Sequence, residues 1–458
     1  MDRYPALYYG FALISGVALA HGVWPPFFLI LFGKGWLSKL GFILITTFAL
    51  IETLYIMPIL PPGKASGYGY AQITKIRTSD NSLGYYGKLK CFVTDEKTYY
   101  DVPIKFFRNT LLDDSTDYLV RGAIRKNQAG PYTLFPSLIE SVPYTRNLCQ
   151  LRFQLKEKFR TYISSHVKDE MCAAFFSSLG TGEIENKLLG LQFNKAGLTH
   201  TLAISGFHYT WLVFIMGAFF HLFLSKRKTC YVLLIIVSLY FLFIGETPSL
   251  NRAWLAALIF LVGYLIKEPV SGINSLGVAL MISLILDPFV IKEIGFQLSY
   301  LATFAILAIY PSAELWLRKF FPKRKAVKLR FILSSFCRNT FAITIAVNIA
   351  TAPLLLYHFN YFPYLSLFFN LFFPIAITPC MIALILSPIP LIGPPILKLT
   401  EIYTTPLLNT IFYGVDLIEG GFWSSNIPFD LLAALLIFVL ILGLWLEQKK
   451  YEFSRISI

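Results

Sequence analysis

Three short stretches of the 458-residue sequence hold the polar residues that chemistry in an otherwise apolar chain would need. The first is GLTHTLAISGFH, residues 197–208, in which His200 and His208 flank Ser205 and Gly206. Ser205 and His208 stand three positions apart, on neighbouring turns of one helix face. Serine chemistry also needs an acid that orients the imidazole and donors for an oxyanion, and neither is identifiable. His200 and His208 are eight apart, about two turns, too far to hold one metal ion without further ligands. No HExxH string and no GKS/T phosphate loop occurs. The second stretch is GETPSLNRA, with Glu246, Asn251 and Arg252. An arginine in a membrane helix costs about 3 kcal/mol on insertion scales unless it is paired or hydrated. Glu246 or a substrate anion would pair it, and an arginine snorkelling to the interface is the other reading. The third stretch has Asp287-Pro288, then Gly295-Phe296-Gln297-Leu298-Ser299, where Gln297 and Ser299 sit in an apolar helix and want partners. These residues suit holding and passing an anion. No catalytic residue, metal or cofactor is expected.

A second set lies between residues 64 and 141. Lys75, Arg77, Lys88, Lys90, Lys97, Lys105, Arg121, Arg125 and Lys126 alternate there with Tyr85, Tyr86, Tyr99, Tyr100, Phe106 and Phe107. Cations interleaved with exposed aromatics track a phosphate backbone and stack bases. Two readings stay open: that surface, or aromatics filling alternate core positions beneath a solvated lysine face. The candidates for contacting nucleic acid are Lys75, Arg77, Lys88, Lys90, Tyr85, Tyr86, Lys105, Arg121 and Arg125.

The elements that must position these residues follow from composition and periodicity. The chain is 56% hydrophobic and 14% charged, with mean hydropathy +0.61, against about 25% charged in soluble domains. Long apolar runs make it a polytopic α-helical membrane protein. Residues 5–32, broken by His21 and Pro25-Pro26, read as one kinked span or as a helix plus a short interfacial hairpin, and further spans are expected near 40–60, 199–222, 229–245, 251–267, 272–290, 294–311, 339–357, 362–386, 400–419 and 430–447. The proline-rich stretch 388–397 is expected to be re-entrant or interfacial. AQITKIR, GKLKCFV, KTYYDVPIKFF and TDYLVRGAIRK read as strands of period two, separated by turn signals. Four or five strands in some 80 residues suggest an inserted small β-barrel of OB type. The five expected segments are N-terminal transmembrane helices (1–62), an OB-like extracytoplasmic domain (63–145), an amphipathic helical connector on the membrane surface or over a channel mouth (146–196), a multi-helix transmembrane channel domain (197–450) and a short tail (451–458). Leu179 to Gly182 reads as a turn.

Lys226-Arg227-Lys228, Arg318 to Arg330, Lys449-Lys450, and Lys34 with Lys39 mark cytoplasmic loops by the positive-inside rule. Counting spans between them places residues 63–196 outside the cytoplasm. That region is itself basic, so its charge needs a cause other than topology, and an anionic ligand supplies one. Of the six cysteines only Cys91 and Cys149 lie in the polar region, where one disulfide between them is open.

The string from Gly197 to His208 resembles the G-L-x-H-x-L-A-x-S-G-x-H signature of the ComEC-type competence proteins, the inner-membrane channels that import transforming DNA as a single strand. Pro248-Ser249 through Arg252-Ala253 resembles that family's P-S-x-x-R-A element. Asp287-Pro288 with Gly295-Phe296-Gln297-Leu298-Ser299-Tyr300 resembles its D-P…G-F-Q-L-S-F element. The resemblance covers nearly the whole chain and is weakest over 1–60 and 388–458. Many members also carry a metallo-β-lactamase-like domain, and no HxHxDH string occurs here. The resemblance therefore implies the channel portion without that nuclease.

The expected function is an inner-membrane channel for import of transforming single-stranded DNA. His200, Ser205, His208, Asn251, Arg252 and Gln297 are the candidates for the path or its supporting shell. The implied partners are single-stranded DNA, a DNA receptor, a cytoplasmic motor or single-strand-binding protein, a separate nuclease, and a second copy in a homodimer. The alternative is a transporter of a smaller anionic solute or an envelope glycan precursor.

Overall fold

A computed structural model describes residues 4–20, 36–56, 63–79, 82–94, 97–108, 117–126, 132–142, 148–184, 186–202, 204, 206–319, 328–363, 365–417, 423–424 and 427–456. The chain divides into two compact units. One comprises Leu54–Tyr162 with Phe243–Gly245, and the other Met1–Thr53, Ile163–Leu242 and Glu246–Ile458.

The smaller unit is built on five strands, β1 (Lys64–Ser79), β2 (Ser82–Val93), β3 (Thr98–Arg108), β4 (Asp117–Arg125) and β5 (Tyr132–Ser141). They close into a barrel in the order β1-β2-β3-β5-β4, with β4 returning to β1. All pairings are antiparallel except β3 with β5, which is parallel at Ile104–Tyr132 and Lys105–Thr133. Closure leaves no free sheet edge, and this order is that of an OB-type Greek-key barrel. The four strands read from periodicity are present, and Tyr132–Ser141 is the fifth. Alternate residues fill the core, among them Ile73, Tyr85, Leu89, Val102, Ile104, Phe106, Val120, Ile124 and Tyr132.

The larger unit is helical. It contains α1 (Pro5–Ala20), most of α2 (Trp36–Ile56), α4 (Glu170–Thr181), α5 (Lys187–Lys195), α6 (Thr199–Leu202), α7 (Gly206–His221), most of α8 (Lys226–Ile244), α9 (Pro248–Ile266) and α10 (Gly272–Leu286). A single-turn 3₁₀ helix, Pro288–Lys292, leads to α11 (Ile294–Ala308), α12 (Tyr310–Leu317), α13 (Lys328–Phe359), α14 (Leu365–Leu386), α15 (Gly393–Leu417) and α16 (Phe429–Ile456). α3 (Leu148–His166) runs from the smaller unit into this one. Among the described residues six helices are long and apolar enough to cross a membrane, or eight if each bent pair is one span. Their outward faces are apolar, as with Ile43, Leu44, Phe48 and Ile51 on α2, which is what a lipid solvent requires. The protein is a multi-pass helical membrane protein carrying a small barrel.

Proline accounts for the bends. α11 and α12 meet at 48°, with Pro311 in the first turn of α12, and α14 bends by 49° around Pro374. The expected break at 388–397 is shorter than the sequence implied. α15 already begins at Gly393, because Pro394 and Pro395 fall in its first turn, where a missing N–H costs nothing. The connector also differs from expectation. α3 has exposed Leu151 and Leu155, but Cys172, Phe175, Phe176 and Leu179 of α4 are fully buried, and the Phe175 ring meets Phe193 and Phe373. α4 is therefore a packed element of the bundle. Its start is fastened to α15: Glu401 Oε1 accepts the Lys168 and Asp169 backbone N–H groups at 2.8 and 2.7 Å, and Thr405 donates to Asp169 Oδ2 at 2.9 Å. The helix runs through Thr181, so the turn read at 179–182 reduces to its left-handed cap, Gly182. His21, Lys34 and Ser205 lie outside the described residues, as do the side chains of Lys75, Arg77, Tyr100 and Cys149.

Candidate functional site

The polar residues singled out in the sequence stand near the first turns of α6, α7, α9 and α11. Gly197, ahead of α6, has φ +69°, and a Cβ there would fall 2.5 Å from Ser366 Cβ. Both the left-handed backbone and the tight approach demand glycine. His200 on α6 is exposed, whereas His208 in the first turn of α7 is 1% exposed with its ring edge-on to Phe207. α9 starts at Pro248, which places Asn251 and Arg252 in its first turns.

Arg252 reaches across to α11, where its Nε donates to Ser299 Oγ at 2.8 Å. Its Nη2 lies against the start of α7, since a Cβ on Gly206 would stand 3.2 Å from it. Ser249 Oγ donates to the Ile204 carbonyl at 3.3 Å. The start of α7, at Gly206, and the first turns of α11, at Ser299, thus meet at the Arg252 guanidinium. Among the described residues Arg252 meets no carboxylate: Glu246 is exposed, and the partner is the neutral Ser299. The amide oxygen of Asn251, next in sequence, is buried without a hydrogen-bond partner.

Gln297 is held from two sides. Its Nε2 donates to the Ile291 carbonyl at 2.8 Å, and its Oε1 accepts from His358 Nε2 at 3.2 Å. An amide oxygen only accepts, so His358 carries its proton on Nε2. Next to Ser299, the Tyr300 hydroxyl pairs with Ser283 Oγ at 3.1 Å. Gln297 is therefore a fastener between α11, the 3₁₀ turn and the end of α13. Sequence reasoning missed His358 and Ser283. The visible signal for His358 was a histidine at the end of an apolar span.

On the barrel the candidates separate by strand parity. Tyr85 is completely buried and stacks on Phe106, and Tyr99 is also buried. Tyr85 is thus a core residue, correcting its reading as a base-stacking surface. Tyr86 lies on the opposite side of β2. Pairing places Lys75, Tyr86 and Lys105 in one cross-strand row over β1-β2-β3, with Lys88 exposed two residues from Tyr86 and Phe107 two from Lys105. Lys90 is exposed at the bulge beside Cys91. Arg121 and Arg125 are exposed on β4, away from this row.

Comparison with known proteins adds two findings. A family model described as Competence protein matches residues 181–449, which include Gly197, Arg252, Gln297, Ser299 and His358 and leave out the barrel. ComE operon protein 3 of Bacillus subtilis (strain 168) is 28% identical over 207 residues, 44% of this chain but 24% of that protein. The chain thus matches about a quarter of that relative's length. No solved structure matches.

Proposed function

This chain belongs to the Competence protein family, and from that premise we propose that it is an inner-membrane channel through which transforming DNA enters the cell as a single strand. The observation that carries the reading is Arg252. A guanidinium among membrane-spanning helices, held through Nε by a neutral hydroxyl and facing no carboxylate among the described residues, is a charge kept for something that arrives. With Nε engaged, Nη1 and Nη2 present a fork to two oxygens of a phosphate. The lack of a side chain at Gly206 lets Nη2 lie against the start of α7. A polyanion in transit needs weak, repeated contacts, because tight binding would stall it.

In this reading His208, Asn251 and Gln297 shape the shell around Arg252, and His200 belongs to the same mouth. The barrel, outside the cytoplasm, receives DNA on its basic faces. A receptor delivers the DNA, a cytoplasmic motor or single-strand-binding protein draws it in, and a separate nuclease removes the second strand. A homodimer is compatible with this scheme. The second reading, transport of a smaller anionic solute or glycan precursor, uses the same guanidinium.

The test is arrival of labelled DNA in the cytoplasm of competent cells carrying Arg252→Ala, with membrane levels of the protein measured. Loss of cytoplasmic DNA while surface DNA still accumulates supports the channel. Normal uptake from a strain with no other copy refutes it and leaves solute transport.

A further inference from the structure

The barrel has a second outward face that the candidate residues only touched at Arg121 and Arg125. On β1-β4-β5 the pairing sets four cross-strand rows: Lys64–Arg125–Thr133, Ser66–Ala123–Phe135, Tyr68–Arg121–Leu138 and Tyr70–Leu119–Glu140. The intervening Val120, Ile124 and Leu134 point into the core and are buried, so these rows face outward. Tyr68, Tyr70, Phe135 and Leu138 are 55, 47, 56 and 41% exposed. Such a cluster of large apolar side chains on one small barrel marks a contact surface.

Its layout selects the class of ligand. Lys64, Arg121 and Arg125 stand against one carboxylate, Glu140, in the last row. The occupant is therefore an anion with apolar, flat parts. Ser66 and Ala123 are small and lie between Phe135 and the β1 pair Lys64 and Tyr68. With strands about 4.8 Å apart and alternate residues about 6.7 Å apart along a strand, they leave a shelf the size of one base. Aromatics rim the shelf, and arginines flank it in the rows on either side. A duplex hides its base faces in its own stack; a single strand offers them.

We propose that the β1-β4-β5 face is a stacking platform for a single polynucleotide strand, with bases on Tyr68 and Phe135 and phosphates on Lys64, Arg121 and Arg125. This rests on the reading that the chain handles DNA, and adds the face and the form of the strand.

The test uses the full chain in nanodiscs and the anisotropy of a labelled oligothymidylate. Tyr68→Ala and Phe135→Ala should each weaken binding about fivefold or more without changing its salt dependence, and Tyr68→Phe should keep it. Arg121→Ala should reduce the salt slope by about 0.7. A duplex of equal length should compete poorly. Because the substituted side chains are exposed, thermal unfolding should be unchanged, separating lost contact from lost fold. If Lys88→Ala and Lys105→Ala weaken binding while Tyr68→Ala and Phe135→Ala do not, the strand lies on the other face; this proposal fails and the DNA reading survives. If the unaltered protein shows no salt-dependent binding, both fail. If Tyr68→Ala and Phe135→Ala change only protease access to the barrel in nanodiscs rich in phosphatidylglycerol, the face docks on lipid and the proposal is overturned.

Discussion

Substituting Arg252 by lysine separates charge from geometry. Lysine keeps the positive charge but has a single ammonium. It cannot hold Ser299, as Nε does at 2.8 Å, and at the same time present a paired fork. A hydrogen bond from a charged donor is worth about 1.5–3 kcal/mol. If that bond orients the fork toward phosphate in the limiting step, its loss slows transit by about 10- to 100-fold at 1.36 kcal/mol per decade. Ser299→Ala should cause a loss at the lower end of that range, since the fork remains but swings. In the double variant Ser299→Ala adds little to Arg252→Lys, because the bond is already gone. Protein levels should not fall. Arg252→Ala relieves up to about 3 kcal/mol of insertion cost and forfeits about 1.5–3 kcal/mol of hydrogen bonding, so the two nearly offset. The assay is the rate at which labelled DNA becomes protected inside the cell, per copy of protein in the membrane. Wild-type rates for Arg252→Lys beside a dead Arg252→Ala would show that charge alone matters and that the Ser299 geometry is idle. Wild-type rates for both would refute the role of Arg252 altogether.

Further predictions concern stability and are read as thermal unfolding of the purified protein in detergent. Gly197→Ala forces a side chain into a left-handed backbone and onto Ser366; it should destabilise by about 2–4 kcal/mol. Asp169→Ala removes the cap that accepts from the Met171 and Cys172 N–H groups and the acceptor for Thr405, costing about 1–3 kcal/mol, whereas Asp169→Asn should recover most of it. Glu314 binds both Arg318 and the buried Arg338; Glu314→Ala removes a charge-assisted hydrogen bond to each and should cost about 1.5–3 kcal/mol. Tyr85→Ala should unfold the barrel, at about 3–5 kcal/mol for a fully buried aromatic, and a stable variant with merely weakened DNA binding would contradict its core position.

What the sequence determined by itself is what depends on neighbours a few residues away. Apolar runs long enough for a bilayer marked most of the membrane helices, and alternation marked four of the five strands. Parity sorts the tyrosines too: Tyr86 shares a side of β2 with Lys88, and Tyr85 shares the other with Leu89. Period two sorts a strand into two faces, and the lysines already said which one met water. The arginine at 252 could be named as special from chemistry alone, because a charge is costly in a membrane helix.

The tertiary structure decided which of these residues meet. Arg252 and Ser299 are 47 positions apart, and Gln297 and His358 are 61. Nothing local distinguishes Ser299 from Glu246 as the arginine's partner, since that depends on how α9 packs against α11. Closure of the barrel likewise brings β4 and β5 beside β1 and so creates the Tyr68–Arg121–Leu138 row. α4 carries buried side chains on most of its length and is packed inside the bundle, a fate its flanking amphipathic helices concealed. Periodicity is written in the chain because backbone geometry repeats every two or 3.6 residues. Partnership is not, because it follows from packing remote segments until most buried polar groups find an acceptor or a donor.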